Sequence, residues 1–293
     1  MKFNKKFMIP IVSLVVIGMV FAIVIPYFGS VERTAIVDSS MSFTGNNAAT
    51  ANVNGGETVI SEDLLVESQT SVNVPLDIDT ILSPNDAGIT NTINYLLDNL
   101  AGTCTPYPSA TCEKRIYVNA TDVSITTLSD LSTISWAADV GVGYLPHVDI
   151  KLANGESLVF EYAKVDATNC DATPYPTGVL NTFGTLGTIS DSSYAWLSSG
   201  PAGPCGDATF DANHKTLTDW KATWGTIEVI GFEFEIDNWI SASNSTMKNI
   251  LINGNDVEVT VQPDDSLAFN VETVFPLNVV DTYTITTNSE PRI

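Results

Sequence analysis

An apolar run without a charge extends from Phe7 to Tyr27, and Lys2, Lys5 and Lys6 stand in front of it. A helix of about 20 such residues crosses a hydrocarbon core of ~30 Å. Basic residues on the N-terminal side hold the amino terminus inside, so the rest of the chain is exported. No other segment is long and apolar enough to span, so the expectation is one crossing. Everything after it must fold outside the cell.

Secretory signals carry a shorter apolar core, about 7–15 residues, and a small-x-small cleavage site. Here the run exits through Ile25, Pro26, Tyr27, Phe28, Gly29 and Ser30. Cleavage after Ser30 puts Phe28 at the −3 position, and cleavage after Gly29 puts Tyr27 there. Both are too bulky, so an uncleaved anchor over residues 1–28 is expected. A type IV pilin leader needs a small residue before the run, where Lys6 and Phe7 stand.

Residues 29–293 hold 34 acidic and 9 basic side chains, a net charge of −25, because three of the 12 basic residues precede the run. Such a surface repels nucleic acid and anionic head groups, keeps the protein soluble and tolerates divalent cations. With 44% apolar residues and aromatics throughout, the exported part is not a disordered chain. Four cysteines, Cys104, Cys112, Cys170 and Cys205, read as two disulfides on an exported chain. Three pairings are open; the expected one joins Cys104 to Cys112 and Cys170 to Cys205. No pair has zinc-knuckle spacing. Asn119 and Asn244 head matches to the N-glycosylation pattern.

The exported sequence reads as all-β. Runs rich in valine, isoleucine, threonine and aromatics alternate with Gly, Pro, Asn and Asp clusters, as in residues 31–43 and 71–81. One stretch, Asp86 to Leu100, places Ile89, Ile93, Leu96, Leu97 and Leu100 at helical spacing before Gly102, and predicts a short helix. All five tryptophans lie between Trp136 and Trp239. Residues 256–293 read as three strands, few for an independent sandwich. The expected organisation is therefore a β-sandwich from residues 29–116 plus 256–293, with residues 117–255 inserted as a tryptophan-rich jelly-roll module. A tandem of sandwiches is the competing arrangement.

Motifs exclude several chemistries. There is no H-E-x-x-H, no G-x-S-x-G and no glycine-rich phosphate loop. Two strands carry polar rows. His147, Asp149 and Lys151 alternate with Val148, Ile150 and Leu152, while Glu233, Glu235 and Asp237 alternate with Phe232, Phe234 and Ile236. If both strands share a sheet, one face presents a polar row beside a carboxylate row. It is either an ordinary solvated face or a surface for sugar or Ca²⁺, whose hard oxygen ligands it supplies. Trp196, Trp220 and Trp224 fall among loop residues, where flat indoles stack on sugar rings, and Trp220 and Trp224 have helical i, i+4 spacing. Trp136 and Trp239 read as core.

The membrane segment, the stretch from Gly29 to Asp38 and the Ser/Thr-rich sandwich after it resemble TasA/camelysin-type secreted β-sandwich proteins and similar archaeal surface proteins. The resemblance implies surface location, and some such proteins form fibres by passing an N-terminal strand into the next subunit, so self-assembly by β-strand addition is a candidate here. The block from Ile134 through Trp239 to Gly254 is similar to jelly-roll modules of extracellular proteins, many of which bind carbohydrate. The expected function is therefore a non-enzymatic, membrane-anchored surface protein with a structural, adhesive or fibre-forming role and a glycan-binding module. It needs no cofactor beyond a candidate Ca²⁺ and has no nucleic-acid partner. The alternative is a surface polysaccharide hydrolase, which needs two convergent carboxylates or a carboxylate with a metal.

Overall fold

The computed structural model describes residues 41–45, 48–54, 58–68, 73–83, 88–98, 113–142, 145–161, 180–182, 189–200, 207–236, 243–263, 265–275 and 280–291. The apolar run, the four cysteines, Asp237 and Trp239 lie outside them. Among the described residues no helix is long and apolar enough to cross a membrane.

Among the described residues the chain is mostly β, consistent with the all-β class, with two antiparallel sheets and few helices. Strands before residue 100 are β1 (Met41–Gly45), β2 (Ala48–Asn54), β3 (Thr58–Ser68), β4 (Val74–Ser83) and β5 (Thr90–Asp98). The middle of the chain adds β6 (Lys114–Asn119), β7 (Ile134–Val142), β8 (His147–Leu152), β9 (Ser157–Phe160), β10 (Leu180–Thr182) and β11 (Tyr194–Leu197). Helix α1 (Ala208–Asp211), β12 (His214–Thr216), α2 (Leu217–Trp224), β13 (Val229–Ile236) and β14 (Asn244–Ile252) follow. The C-terminal part holds β15 (Asn255–Asp256), β16 (Thr260–Val261), β17 (Ser266–Phe275) and β18 (Val280–Pro291).

One sheet runs β1-β3-β17-β5-β14-β7-β10, with β15 on β14. The other runs β12-β11-β9-β8-β13-β6-β16-β4-β18-β2. β17 pairs with β3 and β5, and β18 with β2 and β4, so the chain's late strands lie among its early ones. Both sheets also continue into the tryptophan-rich part, through β5 with β14 and through β16 with β6.

Alternation explains the layers. In β17, Leu267, Phe269, Val271, Thr273 and Phe275 are buried and the residues between them half-buried, as expected of a strand with one core face. The core takes Ile116, Ile150, Phe232 and Phe234 from one sheet and Leu97, Trp136 and Phe269 from the other. Trp136 meets Phe234 edge-to-face, ring centroids 5.4 Å apart, which ties β7 to β13. The hairpin from β14 to β15 turns through Asn253 and Gly254, at φ 52° and 79°, the backbone that an Asn-Gly hairpin turn requires.

The helix expected over Asp86 to Leu100 is not formed; Thr90–Asp98 is strand β5. Ile93, Tyr95 and Leu97 satisfy a two-residue period as well as part of a helical one. Pairing with β17 over Thr90 to Leu96 decides between the two periods. Thr90, Thr92, Ile93 and Tyr95 are also β-favouring residues. Asn94 faces Asn270 on β17 and donates to its Oδ1 at 3.4 Å.

Candidate functional site

Strands β8, β13 and β6 lie side by side, and their alternation builds a belt of charge. Val148, Ile150, Phe232, Phe234, Ile116 and Val118 go into the core. His147, Asp149, Lys151, Glu233, Glu235, Arg115 and Tyr117 take the opposite face. Register then fixes neighbours: Glu235 stands opposite His147 and Arg115, and Glu233 opposite Asp149 and Tyr117. Gly231 is required where Tyr117 crosses the sheet. A Cβ there would come 2.3 Å from the Tyr117 hydroxyl oxygen, which donates to the Ile230 carbonyl at 3.1 Å.

His147 Nε2 lies 3.0 Å from Glu235 Oε1 and 3.7 Å from Asp149 Oδ1. Lys151 Nζ contacts Glu233 Oε2 at 2.9 Å and Asp149 Oδ2 at 3.9 Å. Arg115 bridges Glu113 at 2.9 Å, Asp265 at 3.0 Å and Glu233 at 3.7 Å. Although this is the outward side of a sheet, Asp149 is 7% and Glu233 5% exposed. Asp149 Oδ1 is buried without a hydrogen-bond partner.

Burial and charge shift these groups in opposite directions. Burial disfavours the imidazolium, yet the hydrogen bond and charge of Glu235, with Asp149 and Glu161 behind them, outweigh it and raise His147 to about 10. Burial first, and then the Glu235 charge, push Asp149 up to about 7 against the pull of His147 and Lys151. Burial also opposes the charged form of Glu235, but the hydrogen bond and charge of His147 prevail and hold it below the ordinary carboxylate range.

A second feature lies on the other sheet. β5 pairs with β14 only over Tyr95–Asp98 against Asn244–Met247. β14 then shifts register between Lys248 and Leu251, where Asn249 adopts φ 53°. The strands splay, and a groove of about 330 Å³ opens between them. Exposed Asn91, Asn249 and Asp256 stand on its rim, with Thr92. Its apolar lining is Ile93, Tyr95, Ile250 and Val257. Thr273 donates to Asn91 Oδ1 at 2.8 Å and so orients that amide.

The structure thus brings His147, Asp149, Glu233 and Glu235 together. Trp220 and Trp224 share α2, as their spacing predicts, with rings 4.9 Å apart. Trp220, however, is 3% exposed and donates its indole N–H to the Ala195 carbonyl at 3.0 Å, so it serves the core rather than a sugar. Trp224 packs on the core half-buried. Trp196, on β11, lies half-buried near Phe210 at 6.2 Å. Asn119 and Asn244 are half-buried and donate to Thr260 and Asp98.

Sequence reading missed the groove residues and, of the two cations in the belt, Arg115; the polar row of β8 already includes Lys151. The alternation of Glu113, Arg115, Tyr117 and Asn119 was a legible signal; that β6 lies beside β13 was not. For the groove the only signal was the broken alternation at Lys248 and Asn249. Compared with known protein families, curated proteins and solved structures, the chain has no match.

Proposed function

We propose that this is an exported surface protein, anchored by residues 1–28, that binds glycan in the groove between β5 and β14 and acts in adhesion or surface structure. In this reading residues 29–116 and 256–293 form the carrier sandwich and residues 117–255 an inserted jelly-roll module.

The groove carries the proposal. Amides and a carboxylate on its rim suit sugar hydroxyls, and its apolar lining suits the C–H face of a ring. Glycoside hydrolysis needs a pair of carboxyl groups, about 5–9.5 Å apart, flanking the bond. Among the described residues the groove lining holds one, Asp256. This supports binding over the alternative, a surface polysaccharide hydrolase.

A glycan array probed with the full chain tests the reading, followed by titration of the best ligand. Asn249→Gly removes the amide while keeping the left-handed backbone, and Asp256→Asn removes the charge. Each should weaken binding at least tenfold with the fold intact. Absence of any array signal, or variants that bind like the parent, would refute the proposal.

A further inference from the structure

We infer that His147, Asp149 and Glu235 form a binding site for a divalent first-row metal ion of the zinc class. Their ligand atoms lie within 4.8 Å of one another. In a tetrahedral site with bonds of ~2.0–2.1 Å, neighbouring ligand atoms stand about 3.4 Å apart. The two distances from His147 Nε2, 3.0 and 3.7 Å, straddle that edge. Closing the site draws the two carboxylates together from within 4.8 Å, a side-chain adjustment on strands that are already paired.

The second observation is Asp149. Its Oδ1 is buried, has no hydrogen-bond partner, and points to His147. A buried carboxylate oxygen left without a partner is destabilising, and a cation ligated there removes that cost.

The neighbouring cations leave this arrangement in place: Lys151 holds Glu233 at 2.9 Å and reaches Asp149 Oδ2 at 3.9 Å, and Arg115 pairs with Glu113 and Asp265, while Asp149 Oδ1 and Glu235 Oε1 face His147 Nε2. On binding, the metal takes the place of the proton between His147 and Glu235, which leaves to solvent.

Ligand chemistry selects the metal. Ca²⁺ takes six to eight oxygens, and Mg²⁺ holds most of its waters. One imidazole nitrogen with two carboxylates suits Zn²⁺ and its neighbours. The ion proposed at this site is thus zinc rather than the calcium considered from the sequence. Three protein ligands leave a fourth position for water or an exogenous group.

The test uses the full chain in detergent, without a histidine tag and with any free thiols alkylated. Equilibrium dialysis against Zn²⁺ should load one ion per chain, and Ca²⁺ should not compete. Asp149→Asn and His147→Gln should each weaken binding at least tenfold. The chain has two histidines, so imidazole nitrogen NMR of the parent protein reads the site without a variant. Zn²⁺ should shift the His147 signal and leave His214, packed between Tyr194 and Phe210, unmoved. A folded parent whose His147 signal ignores Zn²⁺ would overturn the inference. So would undiminished Zn²⁺ binding by folded Asp149→Asn, or binding of Ca²⁺ in preference to Zn²⁺.

Discussion

Gly231 and Tyr117 show how a single residue sustains the charged belt. The Tyr117 ring occupies the space where a side chain at 231 would stand, and its hydroxyl is tied to the Ile230 carbonyl. Gly231→Ala should therefore destabilise the protein by about 1–3 kcal/mol, the usual cost of overpacking. Adding Tyr117→Ser should recover part of that loss, because the two sites share one volume and cannot act additively. Urea denaturation of the two single variants and the double variant measures the coupling; additive effects would show that the ring does not block the position.

At the scale of elements, the short turn after Thr127 is held by the carboxylate of Asp130. Asp130 Oδ2 accepts from the Thr126 and Thr127 amides, at 3.1 and 2.7 Å, and from the Thr127 hydroxyl. The Thr127 bonds first, and then the Thr126 amide, keep the Asp130 carboxyl below its ordinary value. Its folded value is lower than its unfolded one, so its stabilisation is complete above the ordinary carboxylate range. It fades as pH falls through the lowered value. The group is exposed, so the effect is small. Melting temperature followed from neutral to acid pH should fall less steeply for Asp130→Asn than for the parent; parallel curves would contradict this.

Strand β5 belongs to the same scale. Its apolar residues permitted two periods, and the partner strand chose one. The polar rows on β8 and β13 were legible because strict alternation needs no partner to be seen. What alternation cannot convey is which strand lies alongside. Arg115 joined the belt only because β6 lies beside β13, and Lys151, already legible in the row on β8, met Glu233 only because β8 lies on the other side of β13.

For the whole molecule, sheet continuity makes a thermodynamic prediction. β14 pairs with β5, and β16 with β4 and β6, so hydrogen-bonded ladders join the early and late strands to the tryptophan-rich part. Residues 41–293 should unfold in a single transition, with calorimetric and van't Hoff enthalpies that agree. Two resolved transitions would mean that residues 117–255 fold as an independent module. The edge strand makes a second prediction. Among the described residues β1 ends its sheet and pairs with β3 alone. An open strand edge is a template for another chain. Where residues 1–28 are removed, the stretch that precedes β1 should be donated to this edge in a neighbouring copy, and cell-surface filaments should appear by electron microscopy. Where N-terminal sequencing finds Met1 to Tyr27 intact, filaments should be absent. Filaments on a chain with its anchor intact would exclude strand donation as their origin.

By itself the sequence determined the all-β class, the acidic surface and the polar rows, because these follow from composition and from a two-residue period carried within each strand. Only the tertiary structure decided that β5 is a strand, that His147 meets Glu235 and that Trp220 is core. It alone opened a groove between β5 and β14. Each of these depends on which distant segment lies alongside, through pairings such as β17 with β5 and β13 with β8, and local periodicity holds no record of a partner a hundred residues away.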